Sequence, residues 1–451
     1  MKLLVEPSTR PLSGTVVVPG DKSIGHRALL FSLLSSTPVR VLGLGDGADN
    51  GRSAKAISAL GATIERDGAA YVIRGTGLDG MRAPAGPIDC GNSGTTIRLL
   101  CGMLAGQRFA TTLVGDASLS QRPMRRVIEP LARMGAQIRG QAREGGGHGA
   151  TDVTPPLVVG PATGPLTALS YTLPMASAQV KTAVLLAGLY ADGRTSVTEP
   201  GPSRDHSERM LAYLGAPLTV DGRTTRIDTS GWDRRLACDE LAVPADPSSA
   251  AFLVVAALVS GADEVRLPGV CVNPTRTGFL DAITAMGGHV AIEDARAAGA
   301  ETVADLVVRG PTSELRGATI GGELAVRSID ELPILAVLAA RARGTTVVRD
   351  AEELRVKESD RIATTCEMLS AFGVTCEARP DGFVVKGQGG TPLAPARVHA
   401  HGDHRIAMSA AVAGLVATGR TEIDDADNVA TSYPGFTQAM TSLGATIRSE
   451  A

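Results

Sequence analysis

Six times along the chain, a stretch with helical apolar spacing ends in an apolar residue, a glycine and a strand-like start. The copies are Leu60-Gly61-Ala62-Thr63-Ile64, Met134-Gly135-Ala136-Gln137-Ile138, Leu214-Gly215-Ala216-Pro217-Leu218, Met286-Gly287-Gly288-His289-Val290, Phe372-Gly373-Val374-Thr375-Cys376 and Leu443-Gly444-Ala445-Thr446-Ile447. Their glycines follow one another at intervals of 71 to 86 residues. A glycine just past a helix takes the left-handed conformation that turns the chain into a strand. One such site is commonplace, but six at near-even spacing point to a repeated unit. A period of this length is too long for a solenoid and fits a compact unit of several strands and two helices. Three units in each of two domains is the simplest division of 451 residues. Gly215 and Gly287 bracket the boundary, and Val243-Pro244-Ala245-Asp246-Pro247-Ser248-Ser249 reads as a connector before a helix from Ala250. A first strand is expected over Met1 to Val18, ending at Pro19-Gly20, and the Pro/Gly-rich segment 140–165 reads as a surface excursion with strand pieces.

Composition narrows the class. The chain is 43% hydrophobic and 20% charged with only 3% aromatic residues, which suits α/β packing of small aliphatic side chains. A net charge of -3 argues against nucleic-acid binding, so any anion site must be local. Cys90, Cys101, Cys238, Cys271, Cys366 and Cys376 are scattered without C-x-x-C or zinc spacing and read as reduced, mostly buried thiols. The start MKLLVEPSTR lacks a signal-peptide core, and the longest apolar run, Ala250 to Val259, is too short for a bilayer. A cytoplasmic protein, neither exported nor membrane-embedded, is expected.

Chemistry-bearing residues cluster at expected helix starts. Pro19-Gly20-Asp21-Lys22-Ser23-Ile24-Gly25-His26-Arg27 puts a lysine, a hydroxyl, an imidazole and a guanidinium beside a turn whose free N–H groups favour anions. A solvated charged helix start is the plain alternative, and three further cationic clusters weigh against it. Gly91-Asn92-Ser93-Gly94-Thr95-Thr96 precedes the helical run Ile97 to Leu104, with Thr95 or Thr96 as its cap. Arg122 follows in the loop Gly115 to Met124, while Arg125 and Arg126 read as surface partners. Ser177-Ala178-Gln179-Val180-Lys181 offers a hydroxyl, an amide and a cation within one helical turn, suited to a second oxyanion. In Ser203-Arg204-Asp205-His206, Arg204 suits bidentate phosphate binding, and capping by Ser203 and Asp205 is an equal alternative. A helix beginning near Lys357 in Arg355-Val356-Lys357-Glu358-Ser359-Asp360-Arg361 would put Lys357 and Arg361 on one face and leave Glu358 free as acid or base; a mixed-charge surface helix is the other reading. Asp330-Glu331-Leu332-Pro333 and Asp403-His404-Arg405 also enter helices. No P-loop, nucleophile elbow, metal-ligand spacing or cofactor fingerprint occurs, and Gly43-Leu44-Gly45-Asp46-Gly47 does not fit the dinucleotide pattern.

Taken together, PGDKSIGHR, GNSGTT, SLSQRPM, SAQVK, DELP, RVKESDR and DHR, in this order over nearly the whole length, closely resemble the enolpyruvyl transferases of the 3-phosphoshikimate 1-carboxyvinyltransferase (EPSP synthase) family. The resemblance implies an α/β (α+β) fold of two domains, an inside-out α/β barrel arrangement with three βαβαββ units per domain. It implies domains at 1–20 plus 245–451 and at 21–244, with the active site in the cleft between them. It implies transfer of the enolpyruvyl group of phosphoenolpyruvate to the 5-hydroxyl of shikimate 3-phosphate, by addition and then elimination of phosphate. No metal or cofactor is implied, and a monomer is expected. Carried over by position, Lys22, Gly94, Arg122, Gln179, Arg361 and Arg405 resemble the phosphoenolpyruvate contacts. Lys22, Ser23, Arg27, Ser177, Gln179, Arg204, Asp330 and Lys357 resemble the shikimate 3-phosphate contacts. Asp330 would be the base for the hydroxyl, and Glu358 and Lys22 would move protons at the methylene carbon.

Two departures stand out. Gly25 replaces the Ser or Thr usual in the family, and Thr431, in Ala430-Thr431-Ser432-Tyr433-Pro434, stands where a lysine is often found. Forms tolerant of the herbicide glyphosate tend to carry Ala at the position of Gly94, so a glyphosate-sensitive enzyme is expected. The competing readings are a UDP-N-acetylglucosamine enolpyruvyl transferase and a non-catalytic anion-binding paralogue. The first typically has Lys-Asn in place of Lys22-Ser23 and a reactive Cys in its loop, and the loop Ser118 to Met124 has none. The second needs cations more than the carboxylates Asp330 and Glu358.

Overall fold

All six repeat glycines have positive φ, from +75° at Gly373 to +110° at Gly61, and each joins a helix to a strand as its spacing predicts. The computed structural model describes residues 1–143, 152–310 and 314–450, so residues 144–151 of the Pro/Gly-rich segment lie outside the described residues. The chain divides into two compact units, Lys22–Val243 and Met1–Asp21 with Pro244–Ala451.

Among the described residues of the inserted unit, six helices, α1 (Lys22–Leu34), α2 (Ala48–Ala59), α3 (Gly94–Leu104), α4 (Arg125–Arg133), α5 (Ala178–Gly188) and α6 (His206–Tyr213), alternate with three four-stranded sheets. Each sheet repeats one pattern: a short strand pairs parallel with a second, and two antiparallel pairings follow. The strands run Glu240–Ala242, Val39–Leu42, Ala70–Arg74, Thr63–Asp67 in the first. They run Ile88–Asp89, Thr111–Val114, Asp152–Val159, Ile138–Arg143 in the second. In the third they run Ser170–Thr172, Arg194–Thr198, Thr224–Asp228, Leu218–Asp221. The strand that follows each repeat glycine is always the fourth.

The other unit carries α7 (Pro247–Ser260), α8 (Gly278–Ala285), α9 (Glu323–Arg327), α10 (Leu332–Arg341), α11 (Arg361–Ala371), α12 (His404–Gly414) and α13 (Phe436–Ser442). Its three sheets keep the pattern, but two borrow strands from the N-terminus. Gly14–Thr15 pairs parallel with Glu264–Cys271, and Lys2–Val5 lies between Thr421–Asp424 and Ile447–Glu450. The expected single strand over Met1 to Val18 is therefore two short strands in two sheets. Pro7 and Pro11 between them lack the N–H a ladder needs.

In each βαβαββ unit the first helix is buried nearly all round: α1, α3 and α5 in one unit, α7, α10 and α12 in the other. The second helices bury one face only, as amphipathic surface helices do. Three expected helix starts move. Helix α3 begins at Gly94 with Ser93, not a threonine, as cap, and α7 begins at Pro247 behind Asp246. Helix α11 begins at Arg361, because Asp360 accepts hydrogen bonds from the N–H groups of Ile362 and Ala363. Lys357 follows a short 3₁₀ turn in extended conformation, so it shares no helix face with Arg361. All six cysteines are free, four of them buried, and the sulfurs of Cys366 and Cys376 approach to 2.7 Å. No described helix is long and apolar enough to cross a membrane.

Candidate active site

A helix buried all round must leave its first N–H groups at an end rather than a face, and in each unit the first turns of the three buried helices meet. The start of a helix favours anions through its first-turn N–H groups and its dipole.

In the inserted unit, Lys22 Nζ pairs with Asp49 Oδ2 at 3.0 Å. Ser23 Oγ accepts a hydrogen bond from Arg204 at 3.1 Å. Arg27 is buried: it donates to Ser23 O at 2.9 Å, to Ser207 Oγ at 2.7 Å and to Thr182 Oγ1 at 3.3 Å, tying α1 to α5 and α6. Gln179 Nε2 donates to Thr95 Oγ1 at 3.0 Å, and its Oε1 accepts from Arg98 at 2.7 Å. Arg122 donates to Asn92 Oδ1, which fixes the loop guanidinium near the start of α3. A Cβ on Gly94 would lie 2.7 Å from one Arg98 nitrogen and 3.3 Å from one of Arg122, so a side chain there would push both guanidinium groups back from that backbone. Ser177 caps α5, accepting from Val180 N at 3.4 Å. Neither expected cap of α6 operates: Asp205 makes no side-chain cap bond, and Ser203 donates to Glu199.

The other unit gathers a carboxylate-rich cluster. Arg361, only 1% exposed, donates to Asp403 Oδ2 at 2.8 Å and Oδ1 at 3.2 Å, to Glu358 Oε2 at 2.7 Å and to Asp330 Oδ1 at 3.4 Å. Glu358 is thus held by Arg361 rather than left free. Lys357 Nζ lies 3.6 Å from the same Asp330 oxygen and 2.8 Å from Glu353. Arg405 donates to Asp330 O at 2.9 Å, which fastens α12 to the start of α10. Burial acts to lower the Arg361 pKa, but Asp403, Glu358 and Asp330 together raise it, so the guanidinium stays charged. Burial likewise pushes the Asp403 carboxyl up, and Arg361 brings it below the usual carboxylate range.

Lys181 does not join the site. It is buried between Glu199 Oε2 at 2.5 Å and Glu208 Oε1 at 2.6 Å. Burial acts to lower its pKa, but the two carboxylates leave it raised, and burial raises Glu208 as well. The sequence reading missed Arg98 and Asp49. Arg98 lies four residues after Gly94, on the same helix face, and a lone arginine in an apolar helix is a readable signal. Asp49 sits just beyond the glycine-rich stretch dismissed as a dinucleotide motif. Arg276 was also missed: it is buried against Asp21 at 2.5 Å, Asp246 at 3.1 Å and Ser248 Oγ at 3.0 Å, with no motif around it.

The family model of EPSP synthase (3-phosphoshikimate 1-carboxyvinyltransferase) matches residues 7–440. Proteins named 3-phosphoshikimate 1-carboxyvinyltransferase are similar along almost their whole length. The one from Alkalilimnicola ehrlichii is 50% identical over 95% of this chain and 92% of its own. Those from Geobacter sulfurreducens and Gloeobacter violaceus are 49% and 51% identical, covering 95% of this chain and 96% and 95% of their own. A solved EPSP synthase from Acinetobacter baumannii superposes with a TM-score of 0.86 at 40% identity, covering 100% of both chains.

Proposed function

The chain belongs to the EPSP synthase family, and from that premise we propose how its two clusters divide the work of transferring an enolpyruvyl group from phosphoenolpyruvate to the 5-hydroxyl of shikimate 3-phosphate. In the addition step, the hydroxyl oxygen bonds to C2 of phosphoenolpyruvate while C3 takes up a proton. In the elimination step, C3 loses a proton and the C2–O bond to phosphate breaks, releasing phosphate and 5-enolpyruvylshikimate 3-phosphate.

Lys22, Arg122, Arg361 and Arg405 bind phosphoenolpyruvate, with Gln179 and the bare backbone at Gly94 beside it. Lys22, Ser23, Arg27, Ser177, Gln179, Arg204 and Lys357 bind shikimate 3-phosphate. Asp330 removes the hydroxyl proton, and Glu358 and Lys22 move the proton at C3. Each charge-assisted contact is worth about 1.5–3 kcal/mol, enough for several cations to hold a small polyanion after desolvation. Phosphoenolpyruvate takes Arg361 from Glu358 as it binds, which frees the carboxylate for proton transfer when there is substrate to act on.

The observation that carries the reading is the single Asp330 oxygen lying 3.6 Å from Lys357 and 3.4 Å from Arg361, with Glu358 on the same arginine. An anion-binding paralogue would have no use for two carboxylates among its cations. The reading extends to a cytoplasmic monomer that needs neither metal nor cofactor. Phosphate release measured with phosphoenolpyruvate and shikimate 3-phosphate, against UDP-N-acetylglucosamine as control acceptor, tests it; release with the control alone would reassign the acceptor, and release with neither would sink the proposal. Glyphosate should inhibit in competition with phosphoenolpyruvate, because Gly94 adds no Cβ to crowd Arg98 and Arg122; unchanged activity at a large excess of glyphosate would refute this.

A further inference from the structure

Glycine is a poor choice inside a helix, yet Gly25 occupies the first turns of α1 and is buried there. The reason lies on the neighbouring helix. A Cβ on residue 25 would sit 2.5 Å from Asn50 Nδ2, 3.0 Å from its Cγ and 3.1 Å from its Oδ1. Asn50 stands in the first turn of α2 and is 3% exposed. Its Nδ2 donates to Gly45 O at 3.3 Å, and its buried Oδ1 has no hydrogen-bond partner among the described residues. The residue before it, Asp49, pairs with Lys22. Two consecutive residues of α2 therefore address the start of α1: Asp49 by charge at Lys22, and Asn50 by shape and polarity at Gly25.

We propose that Gly25 and Asn50 form a matched pair, in which the Asn50 carboxamide of α2 occupies the space that a side chain at position 25 of α1 would take. Asn50 is thereby a positioning residue for Lys22 and Ser23 in shikimate 3-phosphate binding. A side chain added at 25 displaces the carboxamide, breaks its bond to Gly45 and pushes the first turn of α2, with Asp49, away from Lys22. Removing the carboxamide first makes room for a hydroxyl at 25 to take over its place.

The proposal rests on the functional reading above for its ligand, and a double-mutant cycle tests it with the full chain: Gly25→Ser, Asn50→Ala, and both together. For each, KM and kcat for shikimate 3-phosphate are measured by phosphate release, its Kd by calorimetry, and folding by thermal unfolding. Gly25→Ser should raise KM and Kd about tenfold with kcat changed less than threefold. The double variant should bind at least threefold more tightly than the product of the single effects. A smaller deviation, or coupling seen in thermal unfolding but not in KM or Kd, overturns the positioning role. If Gly25→Ser does not fold, Gly25→Ala replaces it under the same criterion. A parent protein that binds the ligand without turnover overturns the reaction assignment and leaves the pair to be judged on Kd; one that does not bind it overturns both.

Discussion

Arg361 is buried among three carboxylates, so its charge is fixed, and in the proposed mechanism phosphoenolpyruvate changes only which acid it holds. Replacing Glu358 with Gln keeps the shape and a hydrogen-bond acceptor for Arg361 while abolishing proton transfer. The variant should fold normally and lose about 10²- to 10⁴-fold in kcat; near-normal turnover with an unchanged melting temperature would remove Glu358 from the proposed mechanism. Gly94→Ala should act on binding instead, because the new Cβ would meet an Arg98 nitrogen at 2.7 Å. Its KM for phosphoenolpyruvate is expected to rise about tenfold, the effect of losing part of one charge-assisted contact, with a smaller effect on shikimate 3-phosphate. A third residue gives a pH signature. Asp246 has its carboxyl pushed up to about 6 by burial and by the Asp21 charge, with Arg276 offsetting only part. The folded state then binds a proton that the unfolded state, with a pKa near 3.9, has already released. Stability from this group is full below about pH 4 and is lost as pH rises through 6. Asp246→Asn should flatten that part of a denaturation profile; an unchanged slope between pH 4 and 6 would show that the carboxyl is not raised.

At the scale of elements, capping decides what the apolar pattern leaves ambiguous. Ser93, Asp246, Asp360 and Asp403 each accept from a first-turn N–H, and each sets where its helix begins. The expected helix from Lys357 failed because periodicity locates a helix but not its first residue, and Asp360 is the better cap. Lys181 failed differently. Its spacing from Ser177 suited a ligand-binding turn, and only the packing of α5 against α6 and the strand ending at Thr198 brings Glu208 and Glu199 onto it. Lys181→Met would leave two carboxylates buried without their cation, a loss of about 3–5 kcal/mol. Denaturant unfolding should show it as a lower midpoint, and replacing Glu199 and Glu208 by Gln in the same chain should recover most of it. A midpoint unchanged by Lys181→Met would mean the triad is not formed.

For the molecule as a whole, the bookkeeping of strands is what matters. Every strand of the three sheets in the inserted unit comes from residues 39–242, so the segment 22–243 carries its complete set. Expressed alone, it should unfold cooperatively in a thermal melt; a non-cooperative melt would show that it depends on the rest of the chain. The other unit has no such independence from its N-terminus. Deleting residues 1–20 removes an edge strand from one sheet and an inner strand from another, exposing unpaired ladders on Glu264–Cys271, Thr421–Asp424 and Ile447–Glu450. That truncation should aggregate or lose its cooperative transition, which light scattering during a thermal melt would detect.

What the amino-acid sequence determined by itself was local. Six glycines that adopt positive φ marked the repeats, because glycine takes that conformation at the least steric cost. The apolar runs Ala28 to Leu34, Ile97 to Leu104 and Ile334 to Ala340 marked three helices, which the structure buries nearly all round. Tertiary structure alone decided which pieces complete each sheet, which cations are already paired and what fills the space beside position 25. A ladder partner hundreds of residues away, as Lys2–Val5 is to Thr421–Asp424, leaves no local periodic trace. Likewise the volume beside Gly25 is taken by a side chain from another helix, and only packing brings that helix there.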